Sequence, residues 1–333
     1  MRKLILAVLV LATGLTFGLP LQAATLKIAT VTPEGSQWMK DMRSSSKEIK
    51  ERTEGRVQIK YYGGGVMGNA RKVLSRIRIG SLQGGAFTPS ELSSQYANLN
   101  LYGLPMVFDS EEEASFARSR LDAGLSAGLE EAGYVNFGFA AGGFAVLMSN
   151  TPIDSLDDLK GKKVWIPEGD EISRRSMEAL SLSPVTLPLT DVLTGLQTGL
   201  IDIVAMSPIG ALVLQWHTKV KYITELPLVY TLGFMAVDKR AFDKISAEDQ
   251  AIVREVMGRT YQNFDKVNLV DNRGARDALL NTGIEIVPVE SEEYDRVRDA
   301  FMKSNTDLAN QGIIDKVLFE ELLKRISEYR SEH

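Results

Sequence analysis

Between Ser246 and Gly283 the chain keeps a helical pattern for more than about eight turns, at 3.6 residues per turn, without one proline. Ser246 is placed as its N-cap. At about 1.5 Å per residue, such a helix is longer than one small α/β lobe is wide. It is therefore expected to lie across two lobes. The rest of the chain has to supply those lobes, and the order of its predicted elements does so.

The first run reads strand, helix, strand, helix, strand. A strand at 25–29 precedes the turn TPEGS, and a helix from Ser36 to Arg52 carries Trp38, Met39, Met42 and Ile49 on one face. The alternating RVQIKYY, a helix over 69–79 closed by Gly80, and the short strand GGAFT complete it. This pattern is the signature of an open α/β sheet. A second run starts near Ala140. FAVLMSN, KKVWIP, PVTLPL and IDIVAMSP read as strands, with helices at EISRRSMEALS and TDVLTGLQTG between them. Ser155 and Thr190 are expected to cap helical turns there. No low-complexity linker separates the runs, so short strand-like crossings are expected to join them.

The ends and the composition narrow the class. Arg2 and Lys3 precede an apolar run from Leu4 to about Gly18, then Pro20 and the small-residue exit Leu21-Gln22-Ala23-Ala24. That layout predicts a cleaved export signal, with cleavage after Ala23 or Ala24. The run is short for a membrane span, which needs about 20 apolar residues. With no cysteine, the chain has neither a lipoprotein anchor nor disulfides, and 44% hydrophobic content supports a large core instead. The formal net charge is −5, and losing Arg2 and Lys3 makes it more negative. No basic stripe stands out, so nucleic acid is not an expected partner.

Catalytic motifs are missing. There is no H-E-x-x-H, G-x-S-x-G or P-loop, and two histidines without cysteine give zinc or thiol chemistry little material. Gly63, Gly65 and Gly68 form G-x-G-x-x-G, with Glu91 about twenty residues on, where a dinucleotide fingerprint asks for an acid. The motif follows the second strand of its unit and not the first, so these are read as turn glycines. No cofactor, no metal and no enzyme activity are expected.

KIATVTPEGS, VQIKYYGGGVMGNARKVLSRIRIGSLQGGAF, SLDDLKGKKVWIPEG, LPLTDVLTGLQTGLIDIVAMSP and the long helix occur in an order that resembles the DctP-type extracytoplasmic receptors of TRAP (tripartite ATP-independent periplasmic) transporters. The likeness runs from about Leu26 to Tyr329. It implies a two-lobed α/β fold of the periplasmic-binding-protein kind that closes on a small solute by hinge motion. Lobe I would comprise 25–143 plus about 232–271, and lobe II 144–231 plus about 272–333. It also implies a periplasmic monomer that delivers its solute to one small and one large membrane permease subunit.

Where most members of that family carry an arginine that clamps a solute carboxylate, this chain has Trp165. A second basic position falls at Ala145. Ser207 stands where an asparagine is frequent, and Leu189 where an aromatic is usual. A carboxylate buried without a cation costs several kcal/mol. The changes therefore favour an apolar, aromatic or amphipathic solute. The alternatives are an organic acid held by another cation such as Arg174 or Arg175, an exported α/β enzyme, or a solute sensor. Strand ends and helix starts are expected to face the cleft. They contribute Ser36, Gln37, Trp38, Phe87, Thr88, Phe144, Pro167 and Tyr230, alongside Ala145, Trp165, Leu189 and Ser207. Trp38, Phe87 and Leu189 could equally be plain core, and Trp165 could be only a space filler.

Overall fold

The structure is a computed structural model that describes residues 23–333, so most of the expected export signal lies outside the described residues. The first lobe is built from β1 (Ala24–Ala29), α1 (Gln37–Arg52), β2 (Val57–Tyr62), α2 (Ala70–Arg78), β3 (Gly84–Phe87), the single turn α3 (Pro89–Leu92), α4 (Glu111–Glu131) and β4 (Tyr134–Asn136). β5 (Ala140–Ser149) leads out of it. The second lobe holds β6 (Trp165–Pro167), α5 (Glu171–Ala179), β7 (Val185–Leu187), α6 (Val192–Thr198), β8 (Ile203–Met206) and α7 (Pro208–Val213). β9 (Tyr222–Asp238) leads back. α8 (Lys239–Phe242), α9 (Ala247–Asn281), β10 (Glu285–Val287), α10 (Ser291–Asn310) and α11 (Lys316–Glu332) follow.

Local chemistry sets the helix starts. The hydroxyl of Ser36 accepts from Met39 N at 3.3 Å, Asn69 Oδ1 from Lys72 N at 3.1 Å, and Ser246 Oγ from Asp249 N at 3.2 Å. Each satisfies an amide that the first helical turn leaves without a partner. Two expected caps differ. Ser155 donates its hydroxyl to Asp158 Oδ2, which also accepts from the amides of Asp154 and Ser155. The carboxylate captures those donors, and only a 3-10 turn over Asp157–Leu159 forms. Thr190 lies within another 3-10 turn, Leu189–Asp191, and bonds Asp191 rather than opening α6. At the far end of α6, Gly199 takes φ +70°, the left-handed conformation that ends helices cheaply for glycine.

The strands order as β2-β1-β3-β9-β5-β8. β9 is 17 residues long, where only short crossings were expected. Its first part pairs with β5 and, in parallel, with β10; its last part pairs antiparallel with β3 and β4. One strand thus belongs to both lobes, with β5 running antiparallel beside it. The pairing of β5 with β9 shifts register near Gly142. Gly143 takes φ +80° there, and a Cβ at that position would sit 2.2 Å from Asn272 Nδ2. Glycine is required on both counts.

The core divides as the two runs of elements predict. One cluster packs α1, α4 and the first half of α9 on the first-lobe strands. In the second lobe, consecutive residues go to opposite faces, as pleated strands require. Leu147, Ile166 and Ile203 lie on one face, and Met148, Trp165 and Val204 on the other. α9 contributes Val253, Val256 and Met257 to the first core and Leu279 to the second-lobe core. Its 35 residues therefore cross both lobes, as its length demands. Within 272–333, Val297 and Phe301 of α10 pack in a second-lobe core. In α11, Phe319, Leu322 and Ile326 form one apolar face that packs with α4 in the first core.

Candidate functional site

A cavity of about 320 Å³ opens between the lobes where β9 and β5 cross. That volume suits a small organic molecule. From the first lobe, Trp38, Phe87, Thr88, Ser90 and Glu91 line it. The second lobe gives Trp165, Pro167, Leu189, Met206 and Ser207, and the crossing strands give Ala145, Tyr230 and Phe234. Tyr261, Phe264 and Asn268 of α9 close the back. Nine of the twelve residues singled out from sequence border the cavity. Ser36, Gln37 and Phe144 do not. Ser36 is spent on capping α1, Gln37 turns outward to Asp41, and Phe144 packs edge-on against the Tyr230 ring at 5.3 Å.

Trp165 borders the cavity but is built into the core. It is 4% exposed. Its Nε1–H donates to Leu187 O at 3.0 Å, and its ring meets Trp216 edge-to-face, centroids 5.2 Å apart at 85°. It is a wall, with its indole N–H already engaged. Trp38 is similar: its Nε1–H donates to Asn268 Oδ1 at 2.8 Å.

Asn268 and Asn272 of α9 were not foreseen, because isolated polar residues one turn apart on a long helix form no motif. Asn268 Nδ2 donates to Ala141 O and Asn272 Nδ2 to Gly142 O, both on β5. Asn268 also holds Trp38 in the first lobe, while Asn272 Oδ1 accepts from Ile209 N at the start of α7 in the second. Adjacent turns of one helix therefore fasten the crossing strand and one wall of each lobe. Across the mouth, Glu168 takes Arg71 at 2.7 Å and Asn69 at 3.5 Å, joining the β6–α5 loop to α2. Ser93 Oγ reaches Gly169 O at 3.4 Å. These contacts join the two lobes across part of the mouth.

The charge pattern of the lining is one-sided. No lysine or arginine lines the cavity among the described residues, whereas Glu91, Glu168 and Asp170 do. Arg174 and Arg175, the cations suggested as substitutes, are tied to Glu171 and, for Arg174, Glu178 on the outer side of α5. The buried Arg118 beside Tyr230 is matched by Asp122 and Asp265 and also donates to Phe139 O. Burial pushes the Tyr230 phenol up to about 12 against the opposing pull of Arg118. Burial also raises the Asp170 carboxyl above its usual range, opposed by its hydrogen bonds from Ser173. Gly64, Gly65 and Gly68 all have positive φ, which is turn geometry.

Two α/β lobes sharing a long strand and a long helix, set around a small-molecule cavity, define a hinged solute-binding protein. Residues 28–311 match the family described as bacterial extracellular solute-binding protein, family 7, also called DctP, and the chain belongs to it. It is similar to the 2,3-diketo-L-gulonate-binding periplasmic protein YiaO of Escherichia coli, 25% identical over 77% of this chain and 80% of that one. It is likewise similar to the C4-dicarboxylate-binding periplasmic protein DctP of Rhodobacter capsulatus, 24% identical over 85% and 86%. Among solved structures, the sugar-acid-binding protein of Advenella mimigardefordensis in complex with galactonate superposes with a TM-score of 0.85 at 18% identity, over 92% and 99% of the chains. Proteins of this family are periplasmic receptors of TRAP transporters, not enzymes.

Proposed function

We propose that this receptor takes up an apolar, aromatic or amphipathic solute that is not an organic anion, and hands it to the small and large subunits of a TRAP permease. One observation carries the reading: among the described residues the cavity lining holds no lysine or arginine, and the resemblance's expected arginine position holds Trp165, its second basic position falling near Ala145. A solute carboxylate enclosed there would lose its water and gain no counter-charge, at a cost of several kcal/mol. Aromatic walls from Trp38, Phe87, Tyr230 and Phe234 supply contact area for an apolar body instead.

The relatives named for a solute bind acids, and an acid would meet no counter-charge in the lining described for this chain. We further propose that the chain is exported with removal of its leader. Cleavage after Ala23 keeps Ala24, whose amide donates to Arg56 O at the start of β1; cleavage after Ala24 removes that bond.

The test is native mass spectrometry of the mature protein as purified, then denaturation and identification of the released solute. Release of an apolar, aromatic or amphipathic molecule without a free carboxylate is the expected result. Release of a sugar acid or dicarboxylate would overturn the reading of the pocket while leaving the receptor role intact.

A further inference from the structure

The three carboxylates of the lining are not equivalent. Glu168 is engaged by Arg71 and Asn69 at the mouth. Asp170 spends both oxygens on capping α5, taking Ser173 N at 2.9 Å and Ser173 Oγ at 2.7 Å. Glu91 differs. Its Oε2 accepts from Thr88 N at 2.9 Å and Thr88 Oγ1 at 3.2 Å, while its Oε1 takes no hydrogen bond among the described residues. No lysine or arginine partners it. Burial lifts its carboxyl above the usual range against the pull of its Thr88 bonds, and the like-charged Glu168 adds to the rise. The cavity thus contains a carboxylate with one idle oxygen among aromatic side chains.

From this geometry we infer that Glu91 is the polar anchor of the site, and that the solute is an amphipathic organic cation, an amine with an apolar or aromatic body. The inference rests on the reading of a non-anionic solute and sharpens it. An ammonium group supplies the donors that Glu91 Oε1 lacks, and a charge-assisted bond is the stronger kind. It also offsets the same-sign crowding of Glu91 and Glu168. Trp38, Phe87 and Tyr230 also line the cavity, and an aromatic ring attracts a cation through its quadrupole in a way an anion cannot use.

The experiment uses the mature chain, unfolded and refolded to remove any carried solute. Three matched probes, tryptamine, tryptophol and indole-3-acetate, are titrated by calorimetry into the wild type and into Glu91→Gln. Glutamine keeps the acceptor that Thr88 uses, so the turn at α3 is preserved. The expected result is tryptamine binding at least about tenfold more tightly than tryptophol, as one charged hydrogen bond allows. In Glu91→Gln that ratio falls to about one. Should the variant fail to fold, the wild-type ratio alone decides. Tryptophol binding as tightly as tryptamine, an unchanged ratio in the variant, or no tryptamine binding overturns the inference. If tryptophol still outbinds indole-3-acetate, the broader reading survives; if indole-3-acetate binds most tightly, both fall.

Discussion

Replacing Trp165 with arginine would install the cation that the family resemblance leads one to expect there, and the structure predicts a damaged lobe rather than an acid receptor. The indole fills its site at 4% exposure, contacts the Trp216 ring edge-on and donates to Leu187 O. Truncating a buried tryptophan costs about 3–5 kcal/mol. The arginine stem recovers about 1–2 kcal/mol of that by packing its methylenes, and its head can lean toward the cavity. The carbonyl of Leu187 keeps its bond from Glu168 N, so no backbone acceptor is orphaned. The net loss is about 2–3 kcal/mol. In a chain of this size each kcal/mol lowers Tm by about 2 °C, so a fall of about 4–6 °C is expected. No organic acid should gain micromolar affinity, because position 145 remains alanine. Thermal unfolding followed by circular dichroism, with calorimetry against galactonate and succinate, checks both parts. A variant within 1 °C of wild type that binds either acid would refute the reasoning, since it would mean the indole occupies a slot kept open for a clamp.

Asn268→Ala should remove the partners of Trp38 Nε1 and Ala141 O together, lowering stability by about 2–4 kcal/mol, measurable in urea unfolding. Arg56 Nε and Nη2 hold the buried Asp249 carboxylate at 3.0 and 2.9 Å, and this pairing lowers its pKa. A depressed carboxyl stabilises the fold above the unfolded value near 3.9, and the contribution is lost as pH falls through the folded value. Asp249→Asn should therefore lower Tm by about 3 °C at pH 7 and narrow the gap to wild type toward pH 3. Arg71→Ala removes an exposed ion pair across the mouth, so Tm should hold within about 1 °C while solute release in stopped flow speeds up about two- to fivefold.

Much of the frame could be read from local chemistry. Ser36, Asn69 and Ser246 announce their helices because each satisfies a specific amide, and the length of α9 forces it across both lobes. β9 escaped because Pro227 and Gly233 interrupt its pattern; Pro227 falls in the gap where the pairing with β5 shifts register, and Gly233 where the strand passes from β5 to β3. The absence of cations at positions 145 and 165 was legible residue by residue. Trp165 as a core wall was not, since facing the cavity and facing Trp216 demand the same side chain. Glu91 was visible only as the acid of a dinucleotide fingerprint; its place in the cleft depends on the α3 turn that Thr88 and Glu91 close between them.

Asn268 and Asn272 give both walls of the cleft a common ruler. Whatever closes the lobes is measured from two side chains one helical turn apart, and none of their four bonds involves Ala145 or Trp165. Asn268 nevertheless ties the hinge to the lining, because it holds Trp38, one of the cavity's aromatic walls. Residues such as Trp165 and Leu189, which make none of these four bonds, can change while the two asparagines keep both walls in register.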